Sequence, residues 1–256
     1  MKKLYKIGHL LYGVGIVAVG LHQIIIRDFR PEILPAFPAW AHAYVLFPIL
    51  IGIALVFAGI SIAVFNSEKI GLYLGFFFLA LIITCQLPYI LFLNPVKPTH
   101  LEVWFGMGEE LAYSGGAFLM AGSLSGKLAA VGRIFFSLLM IIFGCSHFVF
   151  ASDVSKMVPQ WAGAPMFWTY FVGVALIASG IAFIFKIWIK MVALLLAGML
   201  FLFFIFFHVP DAIKNPTDGH GNEIVRAIIA LMFCGIALAI AETNSPESQT
   251  IKQSAR

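Results

Sequence analysis

Long apolar runs separated by short polar segments dominate the pattern of this chain. Eight runs are long enough to cross a bilayer, for which a helix needs about 20 mostly apolar residues. Within each run the apolar positions are continuous instead of alternating, so the pattern predicts an all-α integral membrane protein with eight transmembrane helices and not a barrel. The predicted spans cover residues 7–26, 44–65, 70–93, 104–122, 131–151, 166–186, 189–208 and 223–241.

The second half of the chain repeats residues of the first half in the same order. Matching residues lie 124 positions apart up to the loop after the first span, and 121 positions apart beyond it. Such self-similarity indicates a duplicated module, and an even number of spans per copy gives both copies the same orientation. We therefore predict two parallel four-helix bundle repeats, at 1–126 and 127–241, and a polar cytoplasmic tail at 242–256. The matched pairs include Gly8 and Gly132, Gly20 and Gly144, Pro35 and Pro159, Gly52 and Gly173, Gly59 and Gly180, and Asn94 and Asn215.

The composition excludes a soluble fold. Apolar residues make up 61% of the chain, charged residues make up 11%, and the mean hydropathy is +0.99. Soluble domains, in comparison, carry about 25% charged residues. The formal net charge of +4 comes from the loops, and it gives no reason to expect a nucleic-acid partner. The expected surrounding is the lipid bilayer.

Lysine and arginine are unevenly shared between the two sides of the predicted bundle. Ten lie on the side that holds both termini, and six lie on the other side. Cytoplasmic loops carry the excess of basic residues in membrane proteins. We therefore expect a multi-pass protein of the inner (plasma) membrane with both termini in the cytoplasm.

Histidines gather on the predicted outer side. Six of the seven map to the outer half of the spans or to the outer loops. His22 and His147 lie one or two turns inside the outer ends of spans one and five, and His208 closes span seven. Polar side chains so close to hydrocarbon are costly unless they face protein, water or a ligand. These three histidines are therefore candidates for a site.

Two tryptophans and a carboxylate accompany the histidines. Trp161 lies in the loop after span five, Trp168 lies at the start of span six, and Glu110 lies in the first turns of span four. Tryptophan favours the membrane interface, and an acid near a helix N-terminus complements the helix dipole, so both also have a structural explanation. We expect His147, His208 and Trp161 to meet in one outward-facing cavity. The full predicted ligand-binding set is His147, His208, Trp161, Trp168, His22 and Glu110.

Three interpretations of the histidines stay open. The rings satisfy backbone carbonyls and reach the interface, or they line a pocket for the head group of an amphiphile such as a quinone, or they bind a metal or haem. The last is least favoured, because no His-x-x-x-His or Glu-x-x-His pair occurs on a span. We predict no metal site. No pair of nucleophile and base is visible either, so no catalytic residue is predicted and a self-contained enzyme is the least expected class.

Short sequence elements follow one another in a fixed order along the second half. They are Gly132-Arg133, Phe143-Gly144, His147-Phe148, Val158-Pro159, Trp161, Trp168, Tyr170, Gly173, His208-Val209-Pro210 and Asn215-Pro216. In this order and spacing they resemble the DoxX-like family of four-helix membrane proteins. Some relatives are small subunits of a thiosulfate:quinone oxidoreductase, so the resemblance implies a quinone as ligand and a membrane oxidoreductase subunit as partner. The first half fits more loosely, with Leu87-Pro88 in place of the His-x-Pro element, which implies one functional site, in the second half.

The leading hypothesis is an accessory or binding membrane protein. Its outward-facing His/Trp pocket would take a quinone-like or other amphiphilic small molecule. The alternative is a transporter for a small solute or a lipid, which duplicated bundles often form. The predicted midplane of the bilayer is almost free of ionisable residues, and this favours binding near the outer face.

Overall fold

The computed structural model of the protein describes residues 2–243, so residues 244–256 of the predicted tail lie outside the described part. All regular structure within residues 2–243 is helical, which confirms the all-α prediction. Eight long helices follow one another along the chain. They are α1 (Lys2–Ile26), α2 (Leu46–Phe65), α3 (Glu68–Leu81), α4 (Phe105–Met120), α5 (Leu128–Val149), α6 (Pro165–Phe185), α7 (Ile189–Phe203) and α8 (Asn222–Thr243).

Helices α3 and α7 continue past their α-helical part in wider π-helical turns. The first π-helical turn after α3 precedes Pro88, and the π-helical turn after α7 precedes Pro210. Proline lacks the N–H that an α-helical hydrogen bond needs, and a π-helical turn takes up one residue more than an α-helical turn. The continuations are π-helical Ile82–Gln86 and Tyr89–Leu93 after α3, and π-helical Phe204–His208 followed by α-helical Val209–Lys214 after α7.

Within residues 2–243, seven helical segments are long and apolar enough to cross a bilayer, which identifies a multi-pass membrane protein. The predicted span at 104–122 is the exception, because α4 has 16 residues between the 3-10 helices Leu101–Trp104 and Gly122–Ser125. A 16-residue helix is about 24 Å long, whereas the hydrocarbon core of a bilayer is about 30 Å thick. Every residue of α4 from Glu110 to Met120 is buried, so this part of α4 is surrounded by protein.

Helices α1 and α8 are antiparallel neighbours. Gly8 contacts Gly235 near one end of the pair, and His22 contacts Gly219 near the other end. Residues 2 and 243 therefore lie at the same end of the molecule. We call that end proximal, and we call the opposite end, where α1 and α5 finish, distal.

Glycines bring neighbouring helix backbones into contact. A Cβ atom built on Gly20 of α1 would lie 2.6 Å from the carbonyl oxygen of Gly52 in α2. A Cβ atom on Gly144 of α5 would lie 2.8 Å from the carbonyl oxygen of Gly173 in α6. Real Cβ atoms do not come so close, so only glycine permits this spacing. Close backbone packing of this kind is a main source of helix association in lipid.

The two halves of the chain interlock. A Cβ on Gly8 of α1 would lie 2.9 Å from the Gly235 oxygen of α8, and a Cβ on Gly115 of α4 would lie 2.5 Å from the Gly132 oxygen of α5. Helix α1 packs its backbone mainly on α2 and α8, and α5 packs mainly on α4 and α6. Helix α1 reaches α4 through side chains, since the Tyr12 hydroxyl donates to the carbonyl of Tyr113 over 2.6 Å. The two predicted four-helix repeats therefore also contact each other, through glycines of different halves.

The two segments that connect helices at the distal end differ in burial. The segment at 27–38, after α1, folds into the bundle, and Arg30, Ile33 and Leu34 are 2%, 0% and 5% exposed. The segment at 150–164, after α5, lies on the surface, where Trp161 is 73% exposed. Space between the helices is therefore filled below the first segment and left open below the second.

Candidate functional site

A cavity of about 220 Å³ lies between α5, α6 and α7 near the distal end. Three of the predicted site residues, His147, Trp168 and His208, line it, together with the buried Thr169. The rest of its wall is apolar. The apolar lining residues are Val154, Met157, Val158, Val172, Phe203 and Phe207.

The position of His147 depends on the close approach of α5 and α6. A Cβ atom on Gly173 would lie 2.9 Å from the Cβ of His147, so the absence of a side chain at Gly173 leaves room for this residue. His208 is the last residue of the π-helical turn Phe204–His208. The extra residue of that turn sets the direction in which His208 leaves the helix.

The ring nitrogens of the two histidines give the cavity its polar chemistry. Nδ1 of His147 lies 2.7 Å from the carbonyl oxygen of Phe143. A carbonyl only accepts hydrogen bonds, so Nδ1 carries the proton and Nε2 is left as an acceptor. Among the described residues, neither Nε2 of His147 nor the ring of His208 has a hydrogen-bond partner. The cavity therefore offers an acceptor at His147 and, from neutral His208, one donor and one acceptor.

Trp168 and Thr169 use their donors within the protein. The indole Nε1 of Trp168 donates to the carbonyl of Ala162 over 3.2 Å, and the Thr169 hydroxyl donates to the carbonyl of Pro165 over 3.0 Å. These bonds fix both side chains at the start of α6. Thr169 was missed in the sequence, although a hydroxyl residue beside Trp168 in the first turns of a span was a usable signal.

Trp161 lies beside this cavity and not in it. It lines a neighbouring cleft of about 970 Å³, together with Lys156 and Lys214. Its ring packs edge-on against Phe206, with 5.3 Å between ring centroids. The expectation that Trp161 shares one cavity with His147 and His208 is corrected in this respect, because the Gln160–Ala162 turn holds it on the surface. Three residues line both the cavity and the cleft, namely Met157, Val158 and Phe207.

His22 belongs to a buried polar network that joins the first half of the chain to the start of α8. Its Nε2 donates to the carbonyl of Gly219 over 2.9 Å, and its Nδ1 accepts from Nη1 of Arg30 over 2.8 Å. The same Nη1 lies 3.0 Å from Oδ1 of Asn222, and Nη2 of Arg30 pairs with Glu32 at 3.2 Å. Both ring nitrogens of His22 are therefore used within the protein, and His22 does not line the cavity between α5, α6 and α7.

Glu110 also lies apart from the cavity. It is fully buried in α4 and faces Cys85 and Gln86 of the α3 continuation. Neither carboxylate oxygen has a hydrogen-bond partner of good geometry among the described residues. The Gln86 amide instead donates to the carbonyl of Pro31 over 2.8 Å. Glu110 is therefore a separate feature of the membrane interior.

The burial of Arg30 could not be predicted from the sequence. An arginine next to Pro31 in a predicted outer loop is typical of an exposed interfacial residue. In the structure it is enclosed because segment 27–38 folds inward. His147 and His208 were easier to predict, because each lies near the distal end of a predicted span.

No family model matches the chain, and neither a curated protein nor a solved structure matches it. The resemblance of the second half to DoxX-like proteins therefore stays a prediction.

Proposed function

We propose that this protein is a DoxX-like membrane protein that binds the head group of a quinone-like or other amphiphilic small molecule in the cavity of its second half. It acts as an accessory or binding protein and not as a self-contained enzyme. A membrane oxidoreductase subunit is its proposed partner. The observation that carries this proposal is the pair of imidazoles, His147 and His208, with free ring nitrogens in an otherwise apolar cavity.

The size of the cavity suits a single substituted ring. An apolar cavity of about 150 Å³ takes up a benzene ring, and this one has about 220 Å³. A ring hydroxyl can donate to Nε2 of His147, and a ring carbonyl can accept from His208. Trp168 and Phe207 offer aromatic faces or edges for packing against the ring. A quinone or quinol head group combines these features.

Support for tandem duplication comes from glycine contacts at matching positions. The pair Gly20 and Gly52 corresponds by its offsets to Gly144 and Gly173, and both pairs join backbones at the same kind of helix contact. We propose accordingly that the chain has two copies of a four-helix module and eight membrane helices. The eighth is α4, which is short but enclosed by other helices.

The two proposed copies of the module differ at this site, which is closed in the first half and open in the second half. In the first half, Ile33 and Leu34 of the distal segment are buried in the bundle, and Nδ1 of His22 accepts a hydrogen bond from Arg30. Gln86 ends a π-helical turn two residues before a proline, as His208 does, but it is bonded to Pro31. Binding is therefore assigned to the second half alone.

The distribution of basic residues supports an orientation. Among the described residues, eight Lys and Arg residues lie toward the proximal end and six lie toward the distal end. By the positive-inside rule the termini are cytoplasmic, and the cavity lies toward the outer side of the inner (plasma) membrane.

The test is equilibrium binding of a short-chain quinol to the protein in nanodiscs. Replacing His147 or His208 with Ala should weaken binding by about 1–3 kcal/mol, because a polar group of the ligand loses its partner. The matched control is His100→Ala, since His100 is exposed and does not line the cavity. Equal affinity of all four proteins, or no saturable binding to any of them, would contradict the proposal.

A transporter is the second candidate, and Glu110 favours it. An ionisable side chain inside a membrane protein commonly marks an ion or substrate pathway, and Glu110 is fully buried without a partner of good geometry. Solute flux into proteoliposomes that is lost in Glu110→Gln and retained in His147→Ala would favour this candidate over binding alone.

A further inference from the structure

The cleft beside the cavity presents mainly hydrogen-bond donors. Its polar lining residues are Lys156, Gln160, Trp161, Asp211 and Lys214. Two of them are cations, one is a carboxylate, and the indole N–H is a donor only. The surface next to an apolar cavity is thus suited to an anion.

The donors of this cleft are largely unused. Nζ of Lys156 donates to Asp153 over 2.7 Å in an exposed pair, which is weak and leaves two of its hydrogens free. No partner is present within residues 2–243 for Nζ of Lys214 or for Nε1 of Trp161. The Asp211 carboxylate, in contrast, accepts from the Asn215 amide over 2.8 Å. The one acidic side chain of the cleft is therefore partly occupied, while the cations are available.

One ligand can reach both spaces. The cleft and the cavity adjoin across Met157, Val158 and Phe207, which line both. Met157 is 59% exposed, and methionine is a flexible side chain that adapts to what it contacts. A small movement of Met157 would join the apolar space to the cationic space.

We infer that the ligand of this site is an anionic amphiphile. Its acidic group, a phosphate, sulfonate or carboxylate, lies between Lys156 and Lys214 beside the N–H of Trp161, and its ring or single chain enters the cavity. The small volume of the cavity excludes the two acyl chains of a membrane phospholipid as its normal content. This inference rests on the proposed binding function and narrows its ligand class.

The experiment compares ligands that share a tail and differ in the head group. Dodecyl phosphate and the neutral dodecyl maltoside are titrated by calorimetry into the protein in phosphatidylcholine nanodiscs. Because lysine contacts at an exposed site are weak individually, we expect the phosphate to bind about five- to tenfold more tightly. The difference should shrink as ionic strength rises.

The variants identify the cleft as the source of this preference. The double variant Lys156→Gln/Lys214→Gln should bind both ligands equally and should keep the affinity for the maltoside. Lys97→Gln is the matched control, since Lys97 is exposed and outside the cleft, and it should keep the full preference.

The outcomes distinguish failure of the anionic ligand class from failure of the binding function. Equal binding of both ligands to the unaltered protein overturns the anionic class and leaves the binding function standing, whereas binding of neither ligand overturns both. Inorganic phosphate that binds as tightly as dodecyl phosphate would make the cleft a free-anion site and overturn the amphiphile. Competition by phosphatidylglycerol in the nanodisc would assign the site to bulk lipid and overturn the inference.

Discussion

The guanidinium of Arg30 donates a hydrogen bond from Nη1 to Nδ1 of His22 over 2.8 Å, and both residues are buried. Nε2 of His22 donates in turn to the carbonyl of Gly219 over 2.9 Å. The distal segment 27–38, helix α1 and the start of α8 are therefore held together by one polar network. This network keeps the space below the first distal segment closed.

Loss of Arg30 should destabilise the protein. We expect Arg30→Met to lower stability by roughly 3–5 kcal/mol, because removal of one partner of a buried ion pair leaves Glu32 uncompensated. Arg27→Met is the control at an exposed position, where a change within about 0.5 kcal/mol is expected. Thermal unfolding in detergent measures both. Identical unfolding midpoints for the two variants would show that the network does not hold the segment.

Replacement of Glu110 should have the opposite effect. A buried polar group without a partner costs about 1–3 kcal/mol, so Glu110→Met should raise stability by up to that amount. Glu102→Met, at an exposed carboxylate, should leave the unfolding midpoint in place. A marked fall in stability of Glu110→Met would mean that the carboxyl group makes a contact that stabilises the fold.

The close contact between α5 and α6 at Gly173 should determine the shape of the cavity and its affinity for a ligand. A Cβ at this position meets His147, Phe148 and the backbone of Gly144, so Gly173→Ala should separate α5 from α6 and weaken quinol binding at least tenfold. The control is Gly198→Ala in α7, where a Cβ meets nothing within 4 Å. That variant should be more stable by about 0.5–1 kcal/mol, because alanine is the better helix former. Unchanged binding to Gly173→Ala would separate the cavity from the helix contact.

Cysteine labelling tests the orientation of the chain. With Cys85, Cys145 and Cys234 replaced by Ala, single cysteines are placed at the exposed positions Leu124 and Asp218. An impermeant maleimide added to intact cells should label Asp218→Cys, at the distal end. Leu124→Cys should react only after the membrane is opened. The reverse pattern would invert the proposed topology.

The helices were predictable because lipid demands continuous apolar runs, and these are visible without tertiary information. The span at 104–122 was predicted too long, since apolar composition alone does not reveal the 3-10 turns at Leu101–Trp104 and Gly122–Ser125. The contacts between the two halves of the chain could not be predicted from the sequence either. A glycine such as Gly8 shows that a close contact exists, but not that its partner is Gly235.

The candidate site was predictable in part for a similar reason. His147 lies near the distal end of α5 and His208 lies in the π-helical continuation of α7 at the same end, so position along the chain was enough to bring them together. The position of Trp161 was predicted less accurately, since it lines the neighbouring cleft and not the cavity. The path of its segment depends on the positive φ angles of Gly163 and Ala164, 59° and 40°, which the sequence pattern does not reveal. The hydrogen bond on Nδ1 of His22 comes from Arg30. It could not be predicted, because the sequence pattern places Arg30 in an exposed outer loop.

Photo-crosslinking tests the central claim most directly, that a quinone-like head group binds between α5, α6 and α7. An azido-quinone is irradiated with the protein in nanodiscs, and the modified peptides are mapped by mass spectrometry. We predict saturable labelling of the cavity wall at Met157, Trp168 or Phe207, which excess unlabelled quinone abolishes and His147→Ala reduces. Labelling confined to α1–α3, or labelling that excess quinone does not displace, would contradict the account.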